Sequence, residues 1–231
     1  MPTVLVTGSA GLVGAAAAAR LEAEGWEVRR FDLDSGSDLR QEESVRRAVD
    51  GCQAVVHAGA IAHDSMGTPA DIVATNVLGT WHVLLAAEAV HVERVVYFSS
   101  AQVFGFAEGE GTPEYVPVGD AHPLRAARPY GMSKRLAEET CEAWSARTGI
   151  PTIVLRPVMI LTEEGLERTD PKTAEFGAYV HLDDVVDAVV KSLSVPVPPH
   201  ARMTLCGPGD FDTTVARNVL GWQARRGWPT A

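Results

Sequence analysis

The sequence predicts an α/β fold, a doubly wound parallel sheet (Rossmann) with a small C-terminal substrate-binding lobe. Short β-branched runs alternate with longer helical patterns through the first 156 residues, as a parallel sheet covered by helices on both faces requires. The first run passes straight into a glycine-rich turn, Gly8-Ser9-Ala10-Gly11-Leu12-Val13-Gly14, and then an alanine-rich helix. Asp32 closes the second run, 18 residues beyond Gly14, which is the order of a dinucleotide-binding turn and the acid that reads its ribose.

Taken in order, residues 3–7 (TVLVT) read as a strand, 12–24 as a helix and 27–32 as a second strand. Residues 42–49 look helical, 54–57 form a strand, and 71–90 form one long helix. A strand at 94–99 (RVVYFS), a helix at 133–147 and a strand at 151–156 (PTIVLR) complete the regular part. After Arg156 the alternation decays. Residues 157–178 read as irregular, 183–193 as a helix, 195–200 as a Pro-rich connection and 203–206 as a last strand. The expected division is a nucleotide-binding domain at 1–156, with helix 183–193 packing back on it. A small substrate-binding lobe is expected from 157–182 and 194–231.

Composition narrows the class. A 46% hydrophobic and 22% charged content is that of a globular protein. The net charge of −10 argues against nucleic acid as a partner. Apolar stretches such as AVVHAGAIA are broken by His or Gly and fall short of the roughly 20 residues of a membrane span. MPTVLVTG has no basic segment before its apolar run and is expected to be a strand, not a signal peptide. Cys52, Cys141 and Cys206 are odd in number and widely spaced; reduced thiols of a cytoplasmic protein are expected, without disulfides or a metal site.

The glycine-rich turn is read as the cofactor site. Gly8, Gly11 and Gly14 allow a tight turn, close approach of backbone to a pyrophosphate, and close helix–strand packing. Ala10, Leu12 and Val13 lie between them, and the helix N-terminus adds N–H groups and partial positive charge. The spacing G-x-x-G-x-x-G departs from the commoner G-x-G-x-x-G. Asp32 can accept hydrogen bonds from both ribose hydroxyls and repels a 2′-phosphate, which favours NAD over NADP; Arg29 and Arg30 just before it pull the other way. Asp38, followed by Leu39, can reach the adenine amine. His57-Ala58-Gly59-Ala60 leaves its strand with small residues that let backbone approach the cofactor, and His57 itself is read as structural.

Tyr130 and Lys134 stand four residues apart, on one face of a helix. An unperturbed phenol, with a pKa near ~10, is a poor base at neutral pH, and an adjacent ammonium moves it toward a useful range.

With Gly8–Gly14, Asp32, HAGA at 57–60, Asn76 in TNVLGT, FSSAQVFG at 98–105 and Tyr130–Lys134 in order, the chain resembles an extended short-chain dehydrogenase/reductase. More narrowly, it resembles the NAD-dependent epimerase/dehydratase family, over about residues 3–160 and again at Tyr179-Val180-His181-Leu182-Asp183-Asp184-Val185. The resemblance implies that Ser100, not Ser99, hydrogen-bonds the reacting oxygen. It implies that Tyr130 is the general base for alcohol oxidation and the acid for the reverse step. Lys134 would depress the Tyr130 pKa and bind the nicotinamide ribose, while Asn76 would serve the helix and the site's architecture. Hydride leaves carbon as a proton leaves oxygen, so one base and one oxygen-orienting donor beside a nicotinamide suffice.

Departures from the family pattern are informative. Where sugar-nucleotide dehydratases carry Asp-Glu after the serine, this chain has Ala101-Gln102, neither able to shuttle a proton. Dehydration is therefore disfavoured, and Ser100-Ala101 is closer to the epimerase version. About 75 residues follow Arg156, fewer than sugar-nucleotide epimerases usually use. This short portion and Leu220-Gly221-Trp222 look similar to uronate dehydrogenases, although those resemble Ser-Ser-Asn-His at the serine motif. A carbohydrate oxidoreductase using NAD is the common ground. Dehydrogenase is the first reading, an epimerase with retained NAD the second, and a catalytically silent NAD-binding scaffold the third.

Expected substrate contacts are Ser100, Gln102, Arg128 and Arg156, the two arginines as clamps for a carboxylate or phosphate; Arg125, Arg168 and Arg202 are further cations of that kind. Trp222 and Trp228 read as packing. The resemblance also implies a homodimer through the helices that carry Val83, Leu84, Leu85, Ala86 and Ala87, and Leu136, Ala137, Cys141 and Trp144.

Overall fold

β-Branched strands that are apolar along nearly their whole length can only be buried on both faces, and the central strands of this protein's main sheet are built that way, while an edge strand, EVRRF, is polar and partly exposed. The structure, a computed structural model, describes residues 1–106, 111–169 and 178–226. Six strands, β1 (Thr3–Thr7), β2 (Glu27–Phe31), β3 (Ala54–His57), β4 (Arg94–Phe98), β5 (Thr152–Pro157) and β8 (His200–Leu205), form one sheet in the order β2-β1-β3-β4-β5-β8. Every pairing within it is parallel.

The period of two sends alternate side chains to opposite faces. Val4, Val6, Val56, Val96, Ile153 and Leu155 face α1 (Leu12–Ala23) and α7 (Leu182–Ser194) in one core. Leu5, Val55, Val95, Tyr97 and Val154 face the other way, onto α2 (Glu42–Val49), α4 (Gly79–Ala89) and α5 (Pro129–Thr148). The doubly wound fold is therefore present. Its order reverses at β1, between β2 and β3, and the loops leaving β1 and β3 meet at that crevice, where such folds place their ligands.

Four features differ from the sequence expectation. The helix expected over 71–90 is α3 (Pro69–Val73), a wider π-helical turn (Ala74–Leu78) and then α4. The widened turn holds Asn76, whose side chain is bonded to two other segments; π turns recur where a side chain must be re-aimed. Counted as one helical run, Pro69–Ala89 reaches 21 residues with a hydropathy of 1.3, enough by length and composition to cross a bilayer. Half of that window is buried inside the protein, so its apolarity is spent on the core. The helix expected from residue 133 begins at Pro129, because proline is well placed at the first helical position; Tyr130 thus lies inside the first turn. Residues read as irregular include β6 (Met159–Leu161), paired with β7 (Tyr179–His181), and α6 (Glu163–Arg168), capped by Thr162.

The main sheet also runs past the expected domain boundary. β8 begins at His200 and lies in register beside β5, so residues 200–205 belong to the first domain's sheet. Trp222 is buried and donates its indole N–H to the Asp184 carbonyl at 2.7 Å; Trp228 lies outside the described residues. All three cysteines are free and buried. Burial raises the Cys206 thiol to about 12.

Candidate active site

The glycine turn is sterically compulsory. Gly8 has φ +69°, and a Cβ there would come within 2.6 Å of the Gly59 nitrogen. A Cβ at Gly14 would come within 2.1 Å of the Gly8 carbonyl oxygen. The loops leaving β1 and β3 therefore pack backbone to backbone. α1 has Gly11 as its N-cap, no side-chain cap and no acid in its first turn, so its first N–H groups face outward as an anion cradle.

Two clefts of about 480 and 430 Å3 adjoin there, sharing Gly8, Asp32 and Ala60 as lining. The first is lined by Ala10, Gly11, Leu12, Val13, Gly14 and Ala58 and the second by Asp38, Leu39 and Gly59, so both are built from the residues expected to hold the cofactor.

Asp32 ties these parts together. Its Oδ2 accepts the Ala10 N–H at 2.9 Å and its Oδ1 the Asp34 N–H at 3.1 Å, which fixes the carboxylate at the junction of the clefts. Arg29 donates to the Ala48 and Asp50 carbonyls, and Arg30 pairs with Glu22. Both guanidiniums are thus turned away from Asp32, and the phosphate-welcoming alternative loses its cations. The Arg40 guanidinium beside Asp38 holds that carboxyl below the usual range.

His57 is structural, and its protonation follows from its neighbours. The Thr80 hydroxyl donates to the Asn76 carbonyl at 2.6 Å, so it must accept from His57 Nε2 at 3.0 Å. Nδ1 then accepts from the Thr7 hydroxyl at 2.6 Å, whose oxygen also accepts the Gly59 N–H at 3.0 Å. A neutral ring completes this chain, and burial lowers His57 to about 3. The imidazole thereby fixes the loop of Ala58, Gly59 and Ala60 without entering the clefts.

The expected catalytic residues meet at the C-terminal edge of the sheet. Ser100 follows β4 and accepts the Gln102 N–H at 3.2 Å, and its hydroxyl lies near enough to the Tyr130 phenol to favour the phenolate. Ser99, by contrast, is buried with its hydroxyl unpartnered. Lys134 is buried, donates from Nζ to the Phe98 carbonyl at 2.7 Å, and lies 5.9 Å from the centre of the Tyr130 ring.

Desolvation opposes the expected lowering of Tyr130. Burial pushes the phenol up, outweighing the effect of Ser100, and the nearby Asp64 pushes it further. Burial also lowers Lys134 to about 8, against the pull of Glu138. Desolvation thus works against the charged forms of both groups in the protein alone.

Asn76 connects the two halves. Its Oδ1 accepts the Ile61 N–H at 2.8 Å, and its Nδ2 donates to the Ile61 carbonyl and the Ser133 hydroxyl. Ser133 passes its own proton to the Tyr130 carbonyl at 2.7 Å. Sequence reading did not single out Thr7, Thr80, Ser133 or Asp64 for these contacts. Thr80 and Ser133 do lie within TNVLGT and Tyr130–Lys134, but the contacts of all four are found only once the loops are folded.

Among the substrate contacts, Gln102 lies in the short turn after Ser100, and its carbonyl stands 2.9 Å from where a Gly131 Cβ would be. Arg128 is exposed at the N-cap of α5. Arg156 is a correction. Fully buried, it gives Nε and Nη2 to Glu138 at 2.8 and 2.5 Å and Nη1 to the Asp120 carbonyl. A guanidinium matched so completely inside the fold has no fork left for a substrate anion. Arg125, Arg168 and Arg202 pair with Glu114, Glu164 and Glu142. Among the described residues no group of three His, Cys, Asp or Glu is placed to hold a metal ion.

Residues 4–176 match the NAD dependent epimerase/dehydratase family. The chain belongs to that family. Its cofactor is NAD, and the glycine cradle and Asp32 fit that group. A uronate dehydrogenase of Pseudomonas syringae pv. tomato is 30% identical over 166 residues, 71% of this chain and 54% of that protein. A putative UDP-glucose 4-epimerase of Methanocaldococcus jannaschii is 28% identical over 186 residues, 73% of this chain and 58% of that one. The chain thus spans little more than half the length of these two family members. In fold, a short-chain dehydrogenase/reductase superfamily protein from Agrobacterium tumefaciens, crystallised with NAD, superposes with a TM-score of 0.85 at 24% identity, covering 98% of this chain and 93% of that one.

Proposed function

We propose that this protein is an NAD-dependent oxidoreductase that moves a hydride between NAD and a secondary alcohol or ketone carbon of a carbohydrate, a sugar or sugar acid. The observation that carries this reading is Lys134, fixed to the Phe98 carbonyl at the C-terminal end of β4 and 5.9 Å from the Tyr130 ring centre, with Ser100 favouring the phenolate. NAD, when bound, supplies the hydride acceptor. Ser100 orients the substrate hydroxyl, and Tyr130 as phenolate takes its proton as the carbonyl forms. The reverse step returns that proton from the phenol to the carbonyl oxygen. Lys134, fixed to the Phe98 carbonyl, holds cationic charge near the phenol and offers its remaining N–H groups to the nicotinamide ribose. Gln102 and Arg128 stand as substrate contacts. Residues 157–182 and the part of 194–231 outside β8 stand as the substrate-binding lobe.

Dehydrogenation is the first reading, supported by the likeness to the uronate dehydrogenase of P. syringae. Epimerisation with retained NAD is the second, favoured by Ser100-Ala101 and by the likeness to the M. jannaschii protein. Incubating the protein with NAD and panels of free sugar acids and UDP-sugars separates them. A dehydrogenase accumulates one NADH per product, whereas an epimerase inverts its substrate with no net NADH. Tight NAD binding with neither outcome would point to the scaffold reading.

A further inference from the structure

The helix that carries Tyr130 begins without a cap of its own. Arg128 at the N-cap carries no side-chain acceptor, Pro129 has no N–H, and the first turn holds no acid. Tyr130 is therefore the first residue of α5 with an amide proton to satisfy. That proton goes to Asp64, 66 positions upstream, whose Oδ1 accepts it at 2.7 Å. Asp64 opens a single 3-10 turn (Asp64–Met66) that His63 caps through its ring. Ile61, Met66 and Gly67 of the same loop line the cleft that also holds Asp32 and Asp38.

We propose that Asp64 is a positioning residue for Tyr130, fixing the first turn of α5 by its backbone and setting a negative charge against that of Lys134 at the phenol. The inference rests on the role given to Tyr130 above. A carboxylate at a helix N-terminus is favourably placed, yet the same charge near a phenol opposes its ionisation, and Asp64 is among the groups that raise Tyr130. The charged groups around the pair are few. Lys134 lies on the same helix, with Glu138 one turn further on and the neutral His57 behind Lys134. Asp64 thus adds to the desolvation that raises Tyr130, and its bond to the Tyr130 amide ties the first turn of α5 to the loop that borders the cofactor cleft.

Two readouts need no substrate. The first is the phenolate ultraviolet titration of the intact protein, with the same curve for Tyr130→Phe subtracted so that Tyr130 is isolated. The second is backbone amide exchange at Tyr130 near neutral pH, by NMR. Asp64→Asn keeps an accepting oxygen and removes the charge, so the Tyr130 midpoint should fall by about half to one pH unit while its amide stays protected. Asp64→Ala removes both, so the midpoint should fall likewise and exchange should quicken about tenfold or more, as for a lost hydrogen bond to a charged group. A Tyr130 amide that exchanges as slowly in Asp64→Ala as in the parent, or a midpoint unmoved in Asp64→Asn, would overturn the proposal. Normal turnover by Tyr130→Phe would instead overturn the role of Tyr130, and with it the catalytic meaning of the contact. An unmoved midpoint beside an inactive Tyr130→Phe overturns Asp64 alone.

Discussion

At Tyr130, burial and charge pull in opposite directions. Desolvation and Asp64 raise the phenol, and Ser100 lowers it, so that in the protein alone the phenol is held above its usual range. Replacing Tyr130 by Phe should lower turnover by about 10² or more, the usual cost of a lost general base, while NAD affinity by calorimetry stays nearly intact. Lys134→Ala should lower turnover and weaken NAD binding together, since it removes both the cation and the proposed ribose donor. Asp32 carries a separate prediction. Its carboxylate is fixed by two amide donors, and Arg29 and Arg30 are committed elsewhere. Titration with both cofactors should therefore show NAD bound more tightly than NADP, and equal or tighter NADP binding would sink the assignment.

At the scale of elements, the buried pair of Arg156 on β5 with Glu138 on α5 shows how a site residue becomes a scaffold residue. Both side chains are fully buried, and two hydrogen bonds lock helix to strand. Glu138→Gln leaves the buried guanidinium with only the Asp120 carboxylate, at 3.8 Å, and should cost about 3 kcal/mol in chemical denaturation. Sequence alone placed Arg156 at a strand's C-terminal end, where anion clamps occur, but could not see a partner 18 residues upstream. The same limit explains other misses. Strands β1, β3, β4 and β5 were legible because their β-branched apolar runs are too short for helices, and β2 because it leads from the helix after the glycine turn to Asp32. The π turn at Asn76 and the capping of α5 by Asp64 were not, since both depend on contacts between distant segments. The glycine cradle was legible because only glycine fits the distances of that turn; the tuning of Tyr130 was not, because burial is a property of the fold.

For the whole molecule, most of the apolar content of α4 and α5 is spent inside. Val83, Leu84, Ala86, Ala87, Ala137, Cys141 and Trp144 all lie in the core against the sheet, which leaves Leu78 and Leu136 as the exposed large hydrophobic residues of this region. A homodimer through these helices is still the expectation, with a narrower apolar seam than the sequence implied. Light scattering at micromolar concentration should give twice the 24.7 kDa chain mass, and a monomeric mass would remove it. The central claim is that Ser100, Tyr130 and Lys134, with NAD held in the glycine cradle, move a hydride to or from a carbohydrate. Its most direct test is NADH absorbance with product analysis in the panel of sugar acids and UDP-sugars, for the parent chain and Tyr130→Phe in parallel. The account predicts that one carbohydrate yields NADH in step with its oxidised product and that Tyr130→Phe loses this activity. A protein that binds NAD yet neither oxidises nor inverts any carbohydrate, or a Tyr130→Phe variant as active as its parent, would contradict it.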